Sequence, residues 1–504
     1  MSKKDLSQKK LGTFIKTLRQ KKGITQEKFA QILKTSQSAV ARIEAGDQNI
    51  TTALLAKIGE ALNHKIVSLD ESLDFRIEGG HKLHGSIDTN TSKNGAMGLL
   101  CASLLNKDTT TLHGIPRIEE VFRLLEVLES IGVHTEWKKG NTVVIQPPKT
   151  FLLEGLNTAS AGKMRSSLML IGALAHRVKE FKLPHAGGCK MGQRTIGAHR
   201  FALEKLGIKI ITKSDYYLIT TLKKKPADIV LYEASDTAAE NTLMAAALIP
   251  GVTTIRFAPP NYQVQEICFF LEEMGIKIEG IGTTTLRVHG IENIDAPTEH
   301  YNSEDPIESM MFISAAITTN SQLTIKRCPI DFLSLELLKL EKMSLRFKQS
   351  KPYKAKNNRT NLVDITIFPS HLKALPDKIH AQPYPGINTD NLPFFVPVAT
   401  QAKGMTMLHD WMWENRAIYF TELNKLGAQI TLADPHRVFI SGPSTLHGAQ
   451  IVCPPALRPA MIVLIAMLAA KGTSILRNVY SINRGYEEIA RRLGSIGAKI
   501  EVLS

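Results

Sequence analysis

The sequence of 504 residues has little cysteine and no long apolar run. Its five cysteines lie far apart and form no Cys-x-x-Cys pair. Such a set is typical of a reducing compartment and argues against a disulfide framework or a zinc knuckle. The longest apolar run, Met461 to Ala470, is about half as long as a membrane span, and no apolar segment follows the N-terminal Met-Ser-Lys-Lys-Asp. We therefore expect a cytoplasmic protein with no membrane contact, no bound metal and no cofactor.

Positive charge is present in excess and is concentrated at the N-terminus. Lysine and arginine number 62 against 47 acidic residues, which gives a formal net charge of +15. The first 70 residues hold 13 basic and 6 acidic residues, so they carry +7 and the other 434 residues carry +8. This asymmetry predicts a small module that binds a polyanion, joined to a larger body. The length suggests about three domains.

The N-terminal segment has the pattern of four short helices. They are predicted at Lys9 to Lys22, at Gln26 to Leu33 after a Thr25 cap, at Gln37 to Glu44 after a Ser36 cap, and at Thr51 to Leu62. The second and third helices are separated only by Lys34-Thr35. Two short helices joined by a tight turn predict a small all-α helix-turn-helix domain, residues 1–68.

The stretch from Ile24 to Gly46 resembles the DNA-binding family of the lambda repressor and Cro. The resemblance implies that Gln26 contacts a phosphate and that Gln37, Ser38 and Arg42 face the major groove. A helical protein-interaction module with a solvated basic surface is the alternative interpretation.

The rest of the chain repeats a unit of about 70 residues. A helix that ends in a single turn residue, followed by an alternating strand, occurs six times. The turn residues are Gly132, Gly207, Gly275, Ser344, Gly427 and Gly497. Each turn residue fits a C-terminal helix cap in the left-handed conformation, with serine as one substitute for glycine.

A second pattern accompanies these turns, a nearly all-apolar helix followed by a threonine-rich strand. Examples are Leu99 to Leu105, Leu243 to Ile249 and Met461 to Ala470. A helix that is apolar on every side is buried on every side. The six units therefore predict an α/β body of two domains, each with three units whose helices are enclosed by sheets.

An ordered set of motifs in this body resembles the enolpyruvyl transferases. The motifs are Lys82-Leu-His-Gly85, Thr91-Ser-Lys-Asn94, Arg165, Gly187 to Arg194, Thr389-Asp390, Glu414-Asn-Arg416, Leu457-Arg458 and Asn483-Arg-Gly-Tyr486. The resemblance implies a two-domain inside-out α/β barrel of six βαβαββ-type units. Domain I would comprise residues 93–303, and domain II residues 75–92 and 304–504. The set is most similar to the branch whose acceptor is UDP-N-acetylglucosamine, because the shikimate-3-phosphate branch lacks a cysteine at the position of Cys189.

The resemblance also implies the reaction, transfer of the enolpyruvyl group of phosphoenolpyruvate to a sugar 3-hydroxyl with release of phosphate. Phosphoenolpyruvate carries a phosphate and a carboxylate, which suit several converging arginine forks and a lysine charge. The residues expected to bind substrate are Lys93, Asn94, Arg165, Arg194, His199, Asp390, Met412, Arg416 and Arg484.

Four residues are expected to be catalytic, namely Cys189, Asp390, Lys93 and Arg458. Asp390 is the candidate for accepting the proton of the acceptor hydroxyl. Cys189 lies in a glycine-rich loop that also carries cations, so we expect its thiol pKa to be lowered. It is the candidate for protonating C3 and for attaching phosphoenolpyruvate reversibly.

Several positions differ from the family's usual residues. Arg194 is followed by Thr-Ile-Gly where the family usually has Pro, an aliphatic residue and Asp. The family's Ser-Val-Gly-Ala-Thr segment near the uridine is Asp236 to Glu240 here. Ala456 occupies a position where the family normally has a carboxylate, and Glu120 occupies one where it has an aspartate. The phosphoenolpyruvate half is thus preserved, and the nucleotide half has drifted.

Three functions remain open at this point. The first is an enolpyruvyl transferase acting on UDP-N-acetylglucosamine in peptidoglycan precursor synthesis, and the second is the same chemistry on another nucleotide such as UMP. The third is a dimeric regulator, in which the body senses a ligand and the N-terminal module binds an operator. The proton-transfer candidates Cys189 and Asp390 favour catalysis, because a sensor has little need for both. The expected partners are phosphoenolpyruvate, a UDP-sugar or related nucleotide, and DNA.

Overall fold

The computed structural model describes residues 12–20, 22–47, 52–62, 73–187 and 195–503. Contacts between residues divide the chain into two compact units, Met1–Glu71 and Ser72–Ser504. We call the first the N-terminal unit and the second the body. The predicted Cys189 and Arg194 lie outside the described residues.

The N-terminal unit is helical. Its helices are α1 (residues 12–20), α2 (Gln26–Leu33), α3 (Gln37–Ala45) and α4 (Thr52–Ala61). The hydroxyl of Thr25 caps α2 by accepting from the backbone of Lys28, and the hydroxyl of Ser36 caps α3. These hydroxyls satisfy backbone N–H groups that the first helical turn leaves unpaired. The helix-turn-helix prediction is therefore confirmed for the described residues.

A small apolar core and one buried ion pair join the helices of the N-terminal unit. Ile15, Phe29, Val40 and Ile58 are almost fully buried together. The Nε of Arg19 lies 2.5 Å from Oε1 of Glu44, and the two side chains are 8% and 2% exposed. The burial raises the pKa of the Glu44 carboxyl, but hydrogen bonds from Arg19 and Gln26 outweigh it and lower the pKa overall.

The body contains 24 strands among its described residues. They are β1 (Asp74–Gly79), β2 (Ser86–Asp88), β3 (Thr110–His113), β4 (His134–Lys138), β5 (Thr142–Gln146), β6 (Glu180–Pro184), β7 (Ile208–Thr212), β8 (Tyr216–Thr221), β9 (Asp228–Val230), β10 (Gly251–Arg256), β11 (Lys277–Glu279) and β12 (Thr285–Gly290). The remaining strands are β13 (Thr298–Tyr301), β14 (Leu323–Pro329), β15 (Arg346–Gln349), β16 (Tyr353–Lys354), β17 (Asn361–Phe368), β18 (Ile379–His380), β19 (Gly404–His409), β20 (Gln429–Asp434), β21 (Arg437–Gly442), β22 (Gln450–Val452), β23 (Gly472–Arg477) and β24 (Lys499–Leu503).

Thirteen α-helices alternate with these strands in the described part of the body. They are α5 (Lys93–Ala102), α6 (Glu119–Ser130), α7 (Thr158–Ala161), α8 (Leu170–Leu174), α9 (Gly197–Lys205), α10 (Asp236–Ala247), α11 (Tyr262–Glu273), α12 (Pro306–Thr318), α13 (Ser334–Lys342), α14 (Phe395–Ala399), α15 (Leu457–Ala469), α16 (Tyr480–Asn483) and α17 (Ile489–Gly494). A longer 3₁₀ segment follows α14, at Ala417–Leu426.

The strands form six sheets that divide between two hydrophobic cores. The sheets β13-β3-β5-β4, β6-β8-β7 and β11-β12-β10-β9 contribute to a core made by residues 96–294. The sheets β22-β23-β1-β24, β15-β17-β14-β2 and β18-β19-β21-β20 contribute to a second core, made mainly by residues 75–87 and 307–496. The part of the body around the first core, residues 93–301, is called lobe I. The part around the second core, residues 74–88 and 306–503, is called lobe II.

The repeat is visible in the strand pairing. Five of the sheets contain one parallel pair at one edge followed by two antiparallel pairs, as in β13-β3-β5-β4. The sixth, β6-β8-β7, has only the two antiparallel pairs among the described residues. All six predicted turn residues have positive φ, including 72° at Ser344. The left-handed caps predicted from the sequence are therefore confirmed.

The apolar helices lie inside the lobes. All 13 residues of α12 are buried, as are 12 of the 13 residues of α15. The helices α5 and α10 are buried over most of their length. The α/β fold class and the enclosure of these helices are therefore as predicted, because sheets on several sides are needed to cover a helix without a polar face.

The chain crosses between the lobes at two adjacent segments. Thr91 and Glu304 form an antiparallel bridge there, and the backbone N–H of Ser92 donates to the carbonyl of Ser303 at 2.7 Å. Helix α5 begins directly after the first crossing and α12 after the second, so both N-termini lie at the junction of the lobes. The domain boundaries predicted from the sequence, at residues 92–93 and 303–304, stay a prediction.

A search of the described residues finds no helix with both the length and the apolar character of a membrane span.

We predict that Gly207→Ala destabilises the body more than Gly275→Ala does, by at least about 1 kcal/mol. Both glycines end a helix with positive φ, +87° and +89°, so both alanines carry the strain of the left-handed region. Only at Gly207 is the added Cβ blocked, because it would lie 2.5 Å from the carbonyl oxygen of Lys223. Urea unfolding of the two variants measures the difference. Equal losses of stability would contradict the steric argument.

Candidate functional site

A cavity of about 660 Å³ lies between the lobes and is lined by both of them. Eight of the predicted site residues line it, which are Lys93, Asn94, Arg165, Asp390, Met412, Arg416, Arg458 and Arg484. They come from the start of α5, from segments around α7 and α15, and from loops of lobe II. Residues separated by almost 400 positions in the sequence thus face one hollow. A cavity of about 710 Å³ at the edge of the β15-β17-β14-β2 sheet contains none of them.

Two cations share one carboxylate on the wall of this cavity. The Nζ of Lys93 lies 2.7 Å from Oε2 of Glu120, and Nη2 of Arg484 lies 3.7 Å from the same oxygen. Burial raises the pKa of the Glu120 carboxyl, but Lys93 and Arg484 outweigh it, so its pKa is lowered overall. Glu120 is therefore ionised at neutral pH and partly balances the charge of the two cations.

A second carboxylate, Asp390, is held by Arg458. The Nη2 of Arg458 donates to Oδ2 of Asp390 at 3.0 Å, and its Nη1 donates to the hydroxyl of Tyr486 at 2.7 Å. Burial raises the pKa of Asp390, but Arg458 and Arg416 outweigh it and lower the pKa overall. The side chain of Asp390 is 26% exposed, so it is an ionised carboxylate that remains open to the cavity.

Arg416 is fully buried beneath Asp390. It donates from Nε to Asp410 at 2.5 Å and from Nη2 to the backbone carbonyl of Thr389 at 2.7 Å. Its Nη1 lies 3.9 Å from Oδ1 of Asp390 and has no hydrogen-bond partner among the residues that the structure describes. Arg416 therefore fixes the Thr389-Asp390 segment from below and leaves one donor beside the carboxylate.

Acidic residues of lobe I also line the cavity. Asp236 begins α10, and Glu240 follows one turn later. Burial raises the pKa of Asp236 to about 7, against a hydrogen bond from Asn261 that lowers it, and Asp390 raises it further. Burial and the charge of Asp236 together raise the pKa of Glu240 well above its usual range.

Of the other predicted residues of lobe I that the structure describes, two line the cavity and one does not. Asn94 lines the cavity and donates to the hydroxyl of Tyr262 at 2.9 Å. Arg165 lines it too and donates to the backbone carbonyl of Thr195 at 2.8 Å. His199 does not line it. Its ring is 1% exposed and lies within hydrogen-bond distance of Thr237 and Asn241. The structure therefore places His199 behind the cavity wall, and its expected contact with substrate stays a prediction.

The described cysteines are not candidates for catalysis. Cys101, Cys268, Cys328 and Cys453 are buried. Burial raises the pKa of all four thiols, to about 12 for Cys328 and Cys453. A buried thiol with a raised pKa is a poor nucleophile. Among the described residues, no group of three His, Cys, Asp or Glu side chains is arranged to hold a metal ion.

Sequence reasoning missed several residues of the cavity wall. Trp411 and Trp413 flank Met412 there, and the indole of Trp413 donates to the hydroxyl of Thr389 at 2.7 Å. The chain has three tryptophans, and two of them lie within three positions here. That clustering is the signal that could have drawn attention to this loop. Asn261 and Asn388 also line the cavity, but no local pattern marks them.

The predicted DNA-contacting residues lie at the start of α2 and along α3. Gln37, Ser38 and Arg42 are exposed. Gln26 donates to Glu44 at 2.8 Å and accepts from Gln37 at 2.8 Å. Gln26 therefore positions Gln37 in the free protein, and its expected phosphate contact stays a prediction.

Comparison with known proteins agrees with this geometry. Residues 77–493 match the family described as EPSP synthase (3-phosphoshikimate 1-carboxyvinyltransferase), and residues 15–67 match a helix-turn-helix family. The UDP-N-acetylglucosamine 1-carboxyvinyltransferase of Bradyrhizobium diazoefficiens is 36% identical over 85% of this chain and 98% of its own. The enzyme of the same name from Treponema denticola is also 36% identical, over 85% of this chain and 99% of its own.

Solved structures show the same fold. The enolpyruvyl transferase NikO from Streptomyces tendae matches 86% of this chain and 99% of its own, with a TM-score of 0.73 and 22% identity. EPSP synthase from Acinetobacter baumannii matches 86% of this chain and 100% of its own, with a TM-score of 0.67 and 19% identity.

We predict that Glu120→Gln tightens the binding of inorganic phosphate by about tenfold, or about 1.4 kcal/mol. The amide leaves the charges of Lys93 and Arg484 unbalanced, so an incoming anion replaces the lost carboxylate. Isothermal titration at low ionic strength measures the affinity. Glu129→Gln is the matched control, since Glu129 is on the same helix and exposed. Unchanged or weaker phosphate binding in Glu120→Gln would refute the charge-balance role.

Proposed function

Because the chain belongs to the EPSP synthase family of enolpyruvyl transferases, we propose that it moves the enolpyruvyl group of phosphoenolpyruvate to a nucleotide-linked hydroxyl. The observation that carries this proposal is the convergence of Lys93, Arg458 and Arg484 on one cavity beside the carboxylate of Asp390. A small substrate with a phosphate and a carboxylate suits several cations around one hollow.

The proposed reaction is an addition followed by an elimination. The acceptor hydroxyl attacks C2 of phosphoenolpyruvate and passes its proton to Asp390, while C3 gains a proton from Cys189. The resulting tetrahedral intermediate then loses a proton from C3 and phosphate from C2, which restores the double bond. Asp390 suits the first step because Arg458 and Arg416 outweigh its burial and keep its pKa low, so it enters as a carboxylate.

We propose the 3-hydroxyl of UDP-N-acetylglucosamine as the first acceptor to test, which would make the reaction a step of peptidoglycan precursor synthesis. The support is that two relatives, each 36% identical over 85% of the chain, are named UDP-N-acetylglucosamine 1-carboxyvinyltransferase. A cytoplasmic location would follow from that role.

A second candidate is the same transfer to a different nucleotide, such as UMP. The acidic residues Glu233, Asp236 and Glu240 favour it, because they line the cavity. An ionised carboxylate there repels the phosphates of a nucleoside diphosphate sugar. Reaction class is therefore better supported than acceptor identity.

We predict phosphate release from phosphoenolpyruvate in the presence of one of these acceptors, and a loss in kcat of about 10²- to 10⁴-fold in Asp390→Asn. The amide cannot take the hydroxyl proton, whereas Arg458 and Lys93 still bind phosphoenolpyruvate. A continuous phosphate assay with UDP-N-acetylglucosamine and then UMP measures both quantities. Asp377→Asn, an exposed position of the same lobe, is the control. Full activity of Asp390→Asn would rule out its role as the base.

The N-terminal unit supports a further candidate function, binding of DNA by the chain as a regulator or as a bifunctional enzyme. The observations in its favour are the helix-turn-helix match at residues 15–67 and the exposure of Gln37, Ser38 and Arg42 on one helix. In helix-turn-helix proteins the corresponding helix lies in the major groove, and dimers read half-sites about one helical turn apart.

We predict that the full chain binds duplex DNA with strong salt dependence, and that Arg42→Ala weakens this binding by about tenfold or more. Arg42 is an exposed cation on the proposed recognition helix, so its loss removes a direct contact to phosphate or base. Sequences selected from a random duplex pool provide the probe for a titration at several salt concentrations. Lys57→Ala, an exposed position on α4, is the charge-matched control. Absence of DNA binding even at low salt would exclude this function.

A further inference from the structure

A chain of hydrogen bonds crosses the cavity from lobe I to lobe II. The amide of Asn261 donates from Nδ2 to Oδ2 of Asp236 at 2.9 Å. The amide of Asn388 donates from Nδ2 to Oδ1 of Asn261 at 3.4 Å. The backbone N–H of Asp390 donates to Oδ1 of Asn388 at 2.9 Å. We call these four residues the cross-lobe relay.

The relay is buried and its members are held from other directions. Asn261 is 4% exposed and Asn388 is 7% exposed. Asn261 also accepts from the backbone of Tyr262, which makes it the N-cap of α11. The backbone N–H of Asn388 donates to Glu336 at 3.2 Å. Rotation of the Asn261 amide would therefore also break its cap bond to Tyr262, while the bond to Glu336 holds the backbone of Asn388. Buried polar groups that lose a partner are costly.

All bonds of the relay run in the same direction. Each amide accepts from the lobe II side and donates toward lobe I, so the relay ends on Asp236. The backbone N–H groups of Tyr262 and Asp390 can only donate, so they fix the orientation of the two amides. The carboxylate of Asp236 is the acceptor at the end of the relay. Polarised bonds in series also strengthen one another in a buried site.

We propose that Asp236 is a positioning residue for Asp390, acting across the cleft through Asn261 and Asn388. The relay ends on the backbone N–H of Asp390, and Arg416 holds the adjacent Thr389 carbonyl from the other side. The loop that carries the base is therefore fixed from both lobes. This inference rests on the proposed role of Asp390 as the acceptor of the hydroxyl proton.

The charge of Asp236 couples the relay to pH. Its pKa of about 7 reflects burial first, then the opposing bond from Asn261 and the repulsion of Asp390. Glu240 interacts electrostatically with Asp236, and Glu233 and Arg165 are further ionisable groups that line the same cavity. Above pH 7 Asp236 is charged and accepts a stronger, charge-assisted bond from Asn261. Below pH 7 it is neutral and holds the relay more weakly.

A purely structural role of Asp236 is the competing explanation. A carboxylate in the first turn of a helix stabilises that helix through its dipole, and Asp236 is the first residue of α10. Loss of activity in a variant of Asp236 alone would fit either role. The test therefore has to separate positioning of Asp390 from stability of α10.

The first experiment is a double-mutant cycle with Asp236→Ala and Asn388→Ala. Asn388 is outside α10 and α11, so its variant breaks the relay without touching either helix. We expect each single variant to lower kcat by about 10- to 100-fold with little change in the KM for phosphoenolpyruvate. The double variant should be no worse than either single one, because both remove the same relay. Asp295→Asn, an exposed change in lobe I, is the control and retains wild-type kcat.

Additive losses in the double variant would overturn the proposal, as would a loss confined to the KM of the acceptor. Asp236→Asn adds a conservative test, because its amide oxygen can still accept from Asn261. It should recover much of the activity lost in Asp236→Ala and remove the ionisation near pH 7 from the kcat profile. A pH profile of kcat that is unchanged in Asp236→Asn would contradict the proposed role of Asp236.

A second experiment needs no turnover and so separates this proposal from the proposed function. The indole of Trp413 donates to the hydroxyl of Thr389, next to Asp390. In a Trp137→Phe background, Trp411 and Trp413 are the remaining tryptophans and their fluorescence reports on this loop. We expect a change in emission centred near pH 7 that is absent in Asp236→Asn and in Asn388→Ala. The same transition in all three proteins would refute the relay even if no acceptor is ever found.

Discussion

Balanced burial of charge is the constraint on which this site depends. Lys93, Arg458 and Arg484 line the cavity and are largely buried, and buried cations need carboxylate partners. Glu120 and Asp390 supply them, one beside Lys93 and Arg484 and the other beside Arg458. Three cations against two carboxylates leave a net charge of +1 among these groups, which favours the binding of an anion. Binding of the substrate thus completes an ion-pair network that the protein alone leaves unfinished.

The fold brings these groups together through the two crossings between the lobes. Lys93 is the first residue of α5, and α5 starts where the chain enters lobe I. Asp390 and Arg458 belong to lobe II, and the relay through Asn388 and Asn261 connects the Asp390 loop back to lobe I. Buried helices make each lobe a stiff body, α5 and α10 in lobe I and α12 and α15 in lobe II, so the geometry of the cavity is set by how the two bodies meet.

The sequence was sufficient for the elements and for much of the cavity, because both are encoded in local patterns. The repeated turn positions, including Ser344, predicted the left-handed conformation, and the all-apolar composition of the helices predicted their burial. The positive residues were recognised through short motifs. The relay could not be predicted from the sequence, because Asp236, Asn261 and Asn388 are far apart in the chain and no local motif marks them as partners. The position of His199 behind the cavity wall was also not predictable, because its motif gives its place in the chain but not the layer of the fold in which it lies.

The central claim is that the cavity between the lobes holds phosphoenolpyruvate. A crystal structure of the full chain grown with saturating phosphoenolpyruvate tests it most directly. The account predicts density for the ligand in this cavity, with its anionic groups within hydrogen-bond distance of Lys93, Arg458 and Arg484 and its C2 open toward Asp390. An empty cavity in crystals that contain phosphoenolpyruvate, or a ligand bound elsewhere on the body, would contradict it.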